Sequence, residues 1–177
     1  KGKNFDAIKR YVPLYVYRDL QSYTNIQQRL FDMIIYKLLS LSAINISKYA
    51  YVTEGLENRI LGAAQNSYSY QQLLENIATK RYPDSKINRI LINIMLDITK
   101  ELLSMAKKRQ PYARVLAIKK ERKDILSKIS SNIKIIVRSD DYKHTRNRVL
   151  NVDVFSTYIY SKLKNISIND ISYGLNF

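Results

Sequence analysis

The 177-residue sequence contains no cysteine and no tryptophan, and only four glycines and three prolines. Without cysteine, neither a disulfide framework nor a thiolate metal site can form, and the chain suits the reducing cytosol. With 46% hydrophobic residues and little glycine or proline, the composition excludes collagen-like and low-complexity disordered proteins. We therefore predict a folded cytoplasmic protein with a substantial hydrophobic core.

Long hydrophobic runs are also missing. No uncharged apolar run of about 18 residues, the length that a membrane helix needs, occurs in the sequence. The first residues, Lys1 to Asp6, lack the apolar core of a signal peptide. We expect a protein that is neither membrane-bound nor secreted. Because the chain starts without methionine and leads directly into an amphipathic stretch, we also expect it to be part of a longer protein.

Residue sets that could form a catalytic or metal centre are scarce. The sequence offers no glycine-rich phosphate loop, no Ser/His/Asp set and no metal-binding cluster. The single histidine, His144, lies among basic residues, and the adjacent Asp140 and Asp141 suit a turn or a helix cap. The sequence therefore predicts no catalytic, cofactor-binding or metal-binding residue.

Acidic residues are half as numerous as basic ones, and the imbalance is local. The chain has 30 Lys/Arg and 15 Asp/Glu, a net charge of +15. Residues 1–79 hold nine basic and six acidic residues, residues 80–148 hold nineteen and seven, and residues 149–177 hold two of each. Such a local excess favours a polyanionic partner, because neutralising each phosphate releases condensed counterions. A solvated basic face that only aids solubility is the alternative.

Apolar residues at three- and four-residue spacings predict five helices. They span residues 24–41, 54–66, 70–80, 84–108 and 151–164. Ser69 and Gln72 form a capping-box pattern at the start of the third helix. The helix 84–108 has the strongest pattern, with a broad apolar face and a basic stripe. The stripe consists of Lys86, Arg89, Asn93, Lys100 and Lys107.

The pattern changes after Pro111. Residues 112–118 and 133–137 read as strands, and residues 119–131 read as a charged helix between them. Such a helix requires a crossover connection, which predicts a βαβ unit with two parallel strands. The predicted fold is thus mainly α, a helical bundle with a small βαβ unit near the C-terminus. We divide it into a helical domain, residues 1–110, and a small α/β subdomain with the C-terminal helix, residues 111–177. No role is assigned to the tail after residue 165.

The candidate nucleic-acid-binding residues cluster where the charge rises. Lys80, Arg81 and Tyr82 join two predicted helices, and Lys86 and Arg89 follow. The guanidinium groups suit phosphate, and a tyrosine among cations could stack on a base. Equally, Tyr82 could pack into the core while Arg81 pairs with a helix C-terminus or with Glu57.

A second basic cluster lies at the end of the helix 84–108. It comprises Lys107, Lys108 and Arg109. A helix C-terminus favours cations in any case, so a nucleic-acid role is less specific here. The fifteen tyrosines accompany abundant Ile, Asn and Lys, a composition typical of an AT-rich genome. Their number therefore does not indicate a stacking surface.

Three segments carry a family resemblance. Thr53 to Ile60, Thr79 to Tyr82 and Pro111 to Leu116 resemble, in order and spacing, the carboxy-terminal half of the tRNA(Met) cytidine acetate ligase family. The similarity covers about residues 3–163. It implies an enzyme that activates acetate with ATP and acetylates the wobble cytidine of elongator tRNA(Met).

The resemblance also sets an expectation about what this chain lacks. The family's nucleotide site is implied to carry a His-x-Gly-His type motif and a Ser/Thr-rich loop ending in Ile-Arg, and neither occurs here. We therefore expect the nucleotidyltransferase-like domain to lie upstream, with ATP and acetate bound only by the full-length enzyme. The chain alone would be inactive and would bind and position tRNA. A helical module that braces that domain or forms a dimer, without RNA contact, is the alternative, and the oligomeric state is open.

The family motif is carried over residue by residue. Lys80, Arg81, Tyr82 and Arg89 match it, whereas Lys86 stands where the family more often has arginine. Lysine lacks the bidentate fork of arginine, which weakens the expected phosphate contact there. A further match, Glu57-Asn58-Arg59, suits either a buried polar network or RNA contact.

Overall fold

The computed structural model describes residues 6–21, 26–53, 55–115, 118, 120–122, 124–129, 133–137 and 147–165. The interpretations of His144, of Asp140 with Asp141 and of the tail after residue 165 fall outside these residues. The described part is mainly helical with one small parallel sheet, as predicted. None of its helices is long and apolar enough to cross a membrane.

The elements follow one another in simple order. The helices are α1 (Leu14–Gln21), α2 (Ile26–Leu39), α3 (Ala43–Ile46), α4 (Leu56–Gln65), α5 (Tyr70–Ile77), α6 (Asp84–Met95), α7 (Lys100–Lys108), α8 (Asp124–Ile129) and α9 (Arg148–Lys164). The strands are β1 (Tyr112–Arg114) and β2 (Lys134–Ile136). Short 3₁₀ turns cover Asp6–Ile8 and Lys120–Arg122. The predicted helices near residues 24–41, 54–66, 70–80 and 151–164 are confirmed, with ends shifted by two or three residues in most cases.

The hydrophobic core lies where α2, α4, α5 and α6 pack together. Its fully buried side chains sit at the helical spacing that the sequence shows. They include Ile34, Leu38, Ile60, Leu73, Ile77, Ile87, Ile90, Leu91 and Ile94. Each such side chain stabilises the fold by about 1.5–3 kcal/mol relative to full exposure. The four helices therefore form one packed unit.

The start of α5 shows how local sequence fixes a helix end. The Ser69 hydroxyl accepts a hydrogen bond from the backbone N–H of Gln72 at 3.2 Å. The Gln72 side-chain oxygen accepts one from the N–H of Tyr68 at 2.9 Å. The first bond satisfies an N–H group that the helix itself leaves free. In a full capping box the second bond would come from Ser69 N–H, so the predicted pattern is confirmed for the Ser69 cap only.

The single helix predicted over residues 84–108 is wrong, because the chain breaks between α6 and α7. Asp97 adopts a left-handed backbone conformation with φ 56°, and Ile98 N–H donates to the Asn93 carbonyl at 2.8 Å. Thr99 then caps α7 by accepting from Leu102 N–H at 3.1 Å. Aspartate tolerates this conformation better than most residues.

Contacts from distant parts of the chain hold the break. Asp97 accepts hydrogen bonds from Lys37 Nζ at 2.8 Å and from the Tyr49 hydroxyl at 2.7 Å. Ala50 N–H donates to the Ile98 carbonyl at 3.0 Å, and Lys100 N–H donates to the Lys48 carbonyl at 2.9 Å. These tertiary partners outweigh the local preference for a continuous helix.

Because the hydroxyl of Tyr49 is buried, the stability of the fold varies with pH in the alkaline range. Burial, together with the hydrogen bond to Asp97, raises the pKa of Tyr49 above its usual value of 10.0. In the unfolded chain Tyr49 ionises above about pH 10, whereas in the folded chain it keeps its proton. Its contribution to stability is thus present below about pH 10 and is lost as the pH rises further.

We expect Tyr49→Phe to show this loss directly. Above about pH 10 the free energy of unfolding of the wild type should fall relative to that of the variant by up to roughly 1.4 kcal/mol per pH unit. Urea unfolding of both proteins at several pH values measures the difference. Parallel pH profiles would contradict the assignment.

The two strands pair in parallel, as predicted. Tyr112 pairs with Lys134 and Arg114 with Ile136, and Val115 N–H donates to the Ile136 carbonyl at 3.0 Å. Both strands have only three residues, and the described residues of the predicted helix 119–131 form a 3₁₀ turn, Lys120–Arg122, and the short α8. The strands and the helix are therefore shorter than the pattern indicates.

The last helix is docked on the helical part. α9 contacts α2 and α7. Arg29 Nη1 donates to the Leu163 carbonyl at 3.0 Å, and Arg148 lies 3.5 Å from a Glu101 carboxylate oxygen. The proposed division at residue 110 stays a prediction.

Candidate nucleic-acid interface

The turn between α5 and α6 carries the first two candidate cations. Thr79 and Tyr82 exchange backbone hydrogen bonds at 3.1 and 3.0 Å, and the Thr79 hydroxyl also accepts from Tyr82 N–H at 3.1 Å. Pro83 follows and starts α6. Lys80 and Arg81 lie at the tip of this tight turn, and both are exposed. The turn thus presents two positive charges to solvent.

Tyr82 has a different role from its neighbours. Its side chain is only 9% exposed and belongs to the hydrophobic core, and its hydroxyl is hydrogen-bonded to the Thr53 hydroxyl. Lys86 Nζ lies 4.5 Å from the ring centroid, and the Arg81 guanidinium lies 5.6 Å from it. The ring is therefore not available to stack on a base, which corrects that part of the sequence interpretation.

The sequence contains a signal for this burial. With Pro83 at the N-cap of α6, Tyr82 and Ile87 occupy the two positions of a hydrophobic staple. Both side chains are buried in the same core. Position relative to the helix start therefore predicts the role of Tyr82 better than its basic neighbours do.

Lys86 and Arg89 lie three residues apart on α6 and so on one side of it. Arg89 is exposed, and Lys86 is half-buried. The Arg89 guanidinium lies 6.0 Å from the centroid of the Tyr51 ring. The predicted stripe does not continue beyond them, because Asn93 is only 8% exposed and Lys100 and Lys107 belong to α7.

We call Lys80, Arg81, Lys86 and Arg89 the α5–α6 basic face. Within the part of the chain that the structure describes, none of the four forms an ion pair with a carboxylate. The nearest acidic residue in sequence, Asp84, lies in the first turn of α6, where a carboxylate interacts favourably with the helix dipole. The four cations therefore have no direct carboxylate partner among the described residues.

Arg59 binds the backbone carbonyl groups at the C-terminal end of α5. Its Nε donates to the Ile77 carbonyl at 2.8 Å, and its Nη2 donates to the Ala78 carbonyl at 3.2 Å. Arg59, and not Arg81, thus pairs with a helix C-terminus. One oxygen of Glu57 accepts from Gly55 N–H at 3.1 Å, while Asn58 is exposed. For Arg59 the structural alternative is favoured; for Asn58 both alternatives stay open.

The second predicted cluster lies apart from this face in the chain. Lys107 and Lys108 occupy the last turn of α7, and Arg109 is its C-cap. All three are exposed. The α7 dipole stabilises cations at this end without any ligand. Their position alone therefore does not indicate a binding site.

A small open cavity of about 360 Å³ lies between β1 and α9. Tyr112, Arg114, Asp153 and Ser156 line it, and the Tyr112 hydroxyl donates to the Asp153 carboxylate. Two of these residues belong to the segment Pro111 to Leu116. Sequence reasoning did not identify this cavity, because it joins residues about 40 positions apart in sequence.

Comparison with known proteins places the chain in a family. A family model described as HIGH Nucleotidyl Transferase matches residues 1–173. The tRNA(Met) cytidine acetate ligase of Clostridium kluyveri is 41% identical over 127 residues, 71% of this chain and 31% of that protein. The enzyme of the same name from Clostridium novyi is 30% identical over 182 residues, 99% of this chain and 44% of that protein.

Two crystal structures share the fold. Apo Thermotoga maritima TmcAL superposes with a TM-score of 0.78 at 19% identity, covering 98% of this chain and 47% of that one. Thermotoga maritima TmcAL bound with alpha-thio ATP gives a TM-score of 0.70 at 21% identity, covering 80% and 39%. The chain thus spans less than half the length of the relatives it matches.

One expectation from the sequence is wrong. The absence of two short nucleotide motifs predicted a chain without the nucleotidyltransferase domain, working beside an upstream catalytic domain. The match of the family model across residues 1–173 contradicts that view and gives no support to a separate upstream partner. The chain belongs to the HIGH nucleotidyl transferases, within their tRNA(Met) cytidine acetate ligase family.

Proposed function

We propose that this chain takes part in the acetylation of a tRNA cytidine and that its α5–α6 basic face binds phosphates of the tRNA. The observation that carries the proposal is the grouping of Lys80, Arg81, Lys86 and Arg89 without carboxylate partners among the described residues. The names of the relatives, tRNA(Met) cytidine acetate ligase, supply the substrate class.

The four cations suit phosphate to different degrees. Arg81 and Arg89 are exposed and can each offer two parallel N–H donors to one phosphate. Lys86 is half-buried against the Tyr82 ring, so its ammonium has less freedom to reach a ligand. Phosphate contacts position a nucleic acid but carry little sequence information. This face would therefore hold tRNA without choosing among tRNAs.

The proposal includes ATP and acetate only as reactants of the complete reaction. A Thermotoga maritima relative was crystallised with alpha-thio ATP. In this chain the family's two implied nucleotide motifs are missing. No residue described in the structure is therefore assigned to ATP, and no chemical step is derived through it.

A salt titration tests the proposal. Binding of an elongator tRNA(Met) transcript to the chain should weaken with salt at a log–log slope of roughly −3 to −4, about −0.9 per neutralised phosphate. A second tRNA of similar length should show nearly the same slope and affinity, because phosphate contacts account for most of the binding free energy. Binding that is absent at low salt, or insensitive to salt, would contradict the proposal.

A further inference from the structure

Tyr51 adopts a backbone conformation that bulky residues rarely take. Its φ is 66°, in the left-handed region. It is the third residue of a turn in which Val52 N–H donates to the Tyr49 carbonyl at 3.3 Å, a position where positive φ favours glycine or asparagine. The other non-glycine residues with positive φ in the described part, Asp97 and Asn165, follow helix ends and have short polar side chains. Tyr51 has neither explanation.

The surrounding backbone is firmly held while the ring is open to solvent. The flanking Ala50 and Val52 are fully buried, whereas Tyr51 is 45% exposed. Ala50 N–H donates to the Ile98 carbonyl at 3.0 Å, and Thr53 is hydrogen-bonded to the Tyr82 hydroxyl. The core therefore fixes the segment on both sides of Tyr51 without using the ring itself.

The ring adjoins the α5–α6 basic face. The Arg89 guanidinium lies over one face of the ring, 6.0 Å from its centroid, which leaves the opposite face for a base; Lys86, one turn earlier on α6, covers Tyr82. Thr53, two residues after Tyr51, contacts that same Tyr82. An exposed aromatic ring held in a strained conformation next to cations that have no carboxylate partner among the described residues is typical of a binding surface and not of a core.

We propose that Tyr51 is a stacking platform for an unpaired RNA base, with Arg89 contacting the phosphate next to that base. This inference rests on the proposed function and adds base contact to phosphate contact. Single-stranded RNA presents flat bases and phosphates in alternation, and proteins bind it by combining aromatic rings with cations. The neighbouring Tyr51 ring and Arg89 guanidinium match that alternation.

Intrinsic fluorescence gives a direct test, because the chain has no tryptophan. Tyr51→Trp places the only tryptophan of the chain at the proposed site, where it can be excited at wavelengths that the fourteen remaining tyrosines do not absorb. Single-stranded oligocytidylate should quench its emission, and a blunt RNA duplex of equal length should quench it much less. Tyr36, which is 78% exposed on α2, gives the matched control Tyr36→Trp, whose emission should not change with either RNA.

Affinity measurements separate stacking from charge. Tyr51→Asn removes the ring but suits the left-handed backbone, so its melting temperature should not fall. Its affinity for oligocytidylate should drop roughly 5- to 150-fold with an unchanged salt slope, since base stacking contributes about that much per base. Arg89→Ala should instead reduce the magnitude of the slope by roughly 0.7. Tyr36→Ala should bind like the wild type.

The outcomes distinguish the two proposals. If Tyr51→Asn binds oligocytidylate as tightly as the wild type, or if Tyr51→Trp is not quenched, the stacking role is wrong, while a smaller slope for Arg89→Ala still supports phosphate binding. Wild-type chain that binds neither RNA at low salt would overturn both. A Tyr51→Asn variant with a normal melting temperature and weakened single-strand binding is the result we expect.

Discussion

Replacing Arg81, Lys86 and Arg89 together with alanine is expected to make tRNA binding weaker and much less sensitive to salt. Losing three phosphate contacts should reduce the magnitude of the log–log slope by roughly 2.7. The ratio of wild-type to variant affinity for tRNA should therefore be roughly 40-fold smaller at about 200 mM salt than at about 50 mM salt. Titration of a tRNA transcript across this range measures both quantities.

The fold should tolerate these three changes. Arg81 and Arg89 are exposed, and such substitutions usually alter stability by less than about 0.5 kcal/mol. Lys86 loses its contact with the Tyr82 ring, which contributes about 0.5–1 kcal/mol. A modest drop in melting temperature is thus expected, well short of unfolding.

A matched variant removes the same charge elsewhere. Lys107, Lys108 and Arg109 are likewise three cations, all of them exposed, so their triple alanine variant controls for net charge. We expect its slope to stay closer to that of the wild type. If the α7 variant loses the salt dependence and the α5–α6 variant keeps it, the binding surface lies at the end of α7. Arg81 and Arg89 would then have no assigned function.

Among the variants proposed for this protein, Tyr82→Ala is expected to lose the most stability. Its ring is buried in the core, and removing a buried aromatic side chain costs about 3–5 kcal/mol. Tyr82→Phe keeps the ring and loses only the hydrogen bond to Thr53, which contributes about 1 kcal/mol. Urea unfolding should rank the proteins as wild type, Tyr82→Phe and then Tyr82→Ala.

The same pair of variants decides whether Tyr82 meets RNA. Because the ring is buried, Tyr82→Phe should bind tRNA with wild-type affinity wherever it is folded. Tyr68→Ala, at an exposed tyrosine, should leave stability within about 0.5 kcal/mol of the wild type. A Tyr82→Ala protein that is as stable as the wild type but binds RNA poorly would restore the base-stacking role that burial argues against.

Local sequence predicted those elements whose signal is itself local. The apolar spacing of α2 and α6, the Ser69 cap and the parallel strands follow from neighbouring residues. The break at Asp97 could not be predicted in this way, because the apolar period continues through Leu96, Ile98 and Leu102. The deciding partners, Lys37 and Tyr49, lie 60 and 48 residues away in sequence.

The candidate site was predicted unevenly for the same reason. Charge patterning located Lys80, Arg81 and Arg89, which are exposed as expected. The role of Arg59 depends on what packs around it, which residue type and spacing leave open, whereas the burial of Tyr82 has a signal in its staple position relative to Ile87. The conformation of Tyr51 has no sequence signal, since one tyrosine among fifteen does not stand out.

The family was identified from extended segments and the domain content was misjudged from short motifs. A nucleotide motif samples a few residues, so its absence says little about the rest of a domain. The family model matches 173 consecutive positions, about half of which lie in the described helices. A match of that length therefore outweighs the absence of two short motifs.

The break between α6 and α7 has a consequence for how this protein tolerates change. Within one continuous helix, inserting a residue rotates everything after it by about 100°. Here α7 begins with its own Thr99 cap, and pairing between Thr99 and Tyr49 fixes where it starts. The rotation caused by an insertion within α6 would therefore end at the break at Asp97. The charged side chains of α7 would not turn toward the core. The two helices can acquire or lose surface charge independently over evolutionary time.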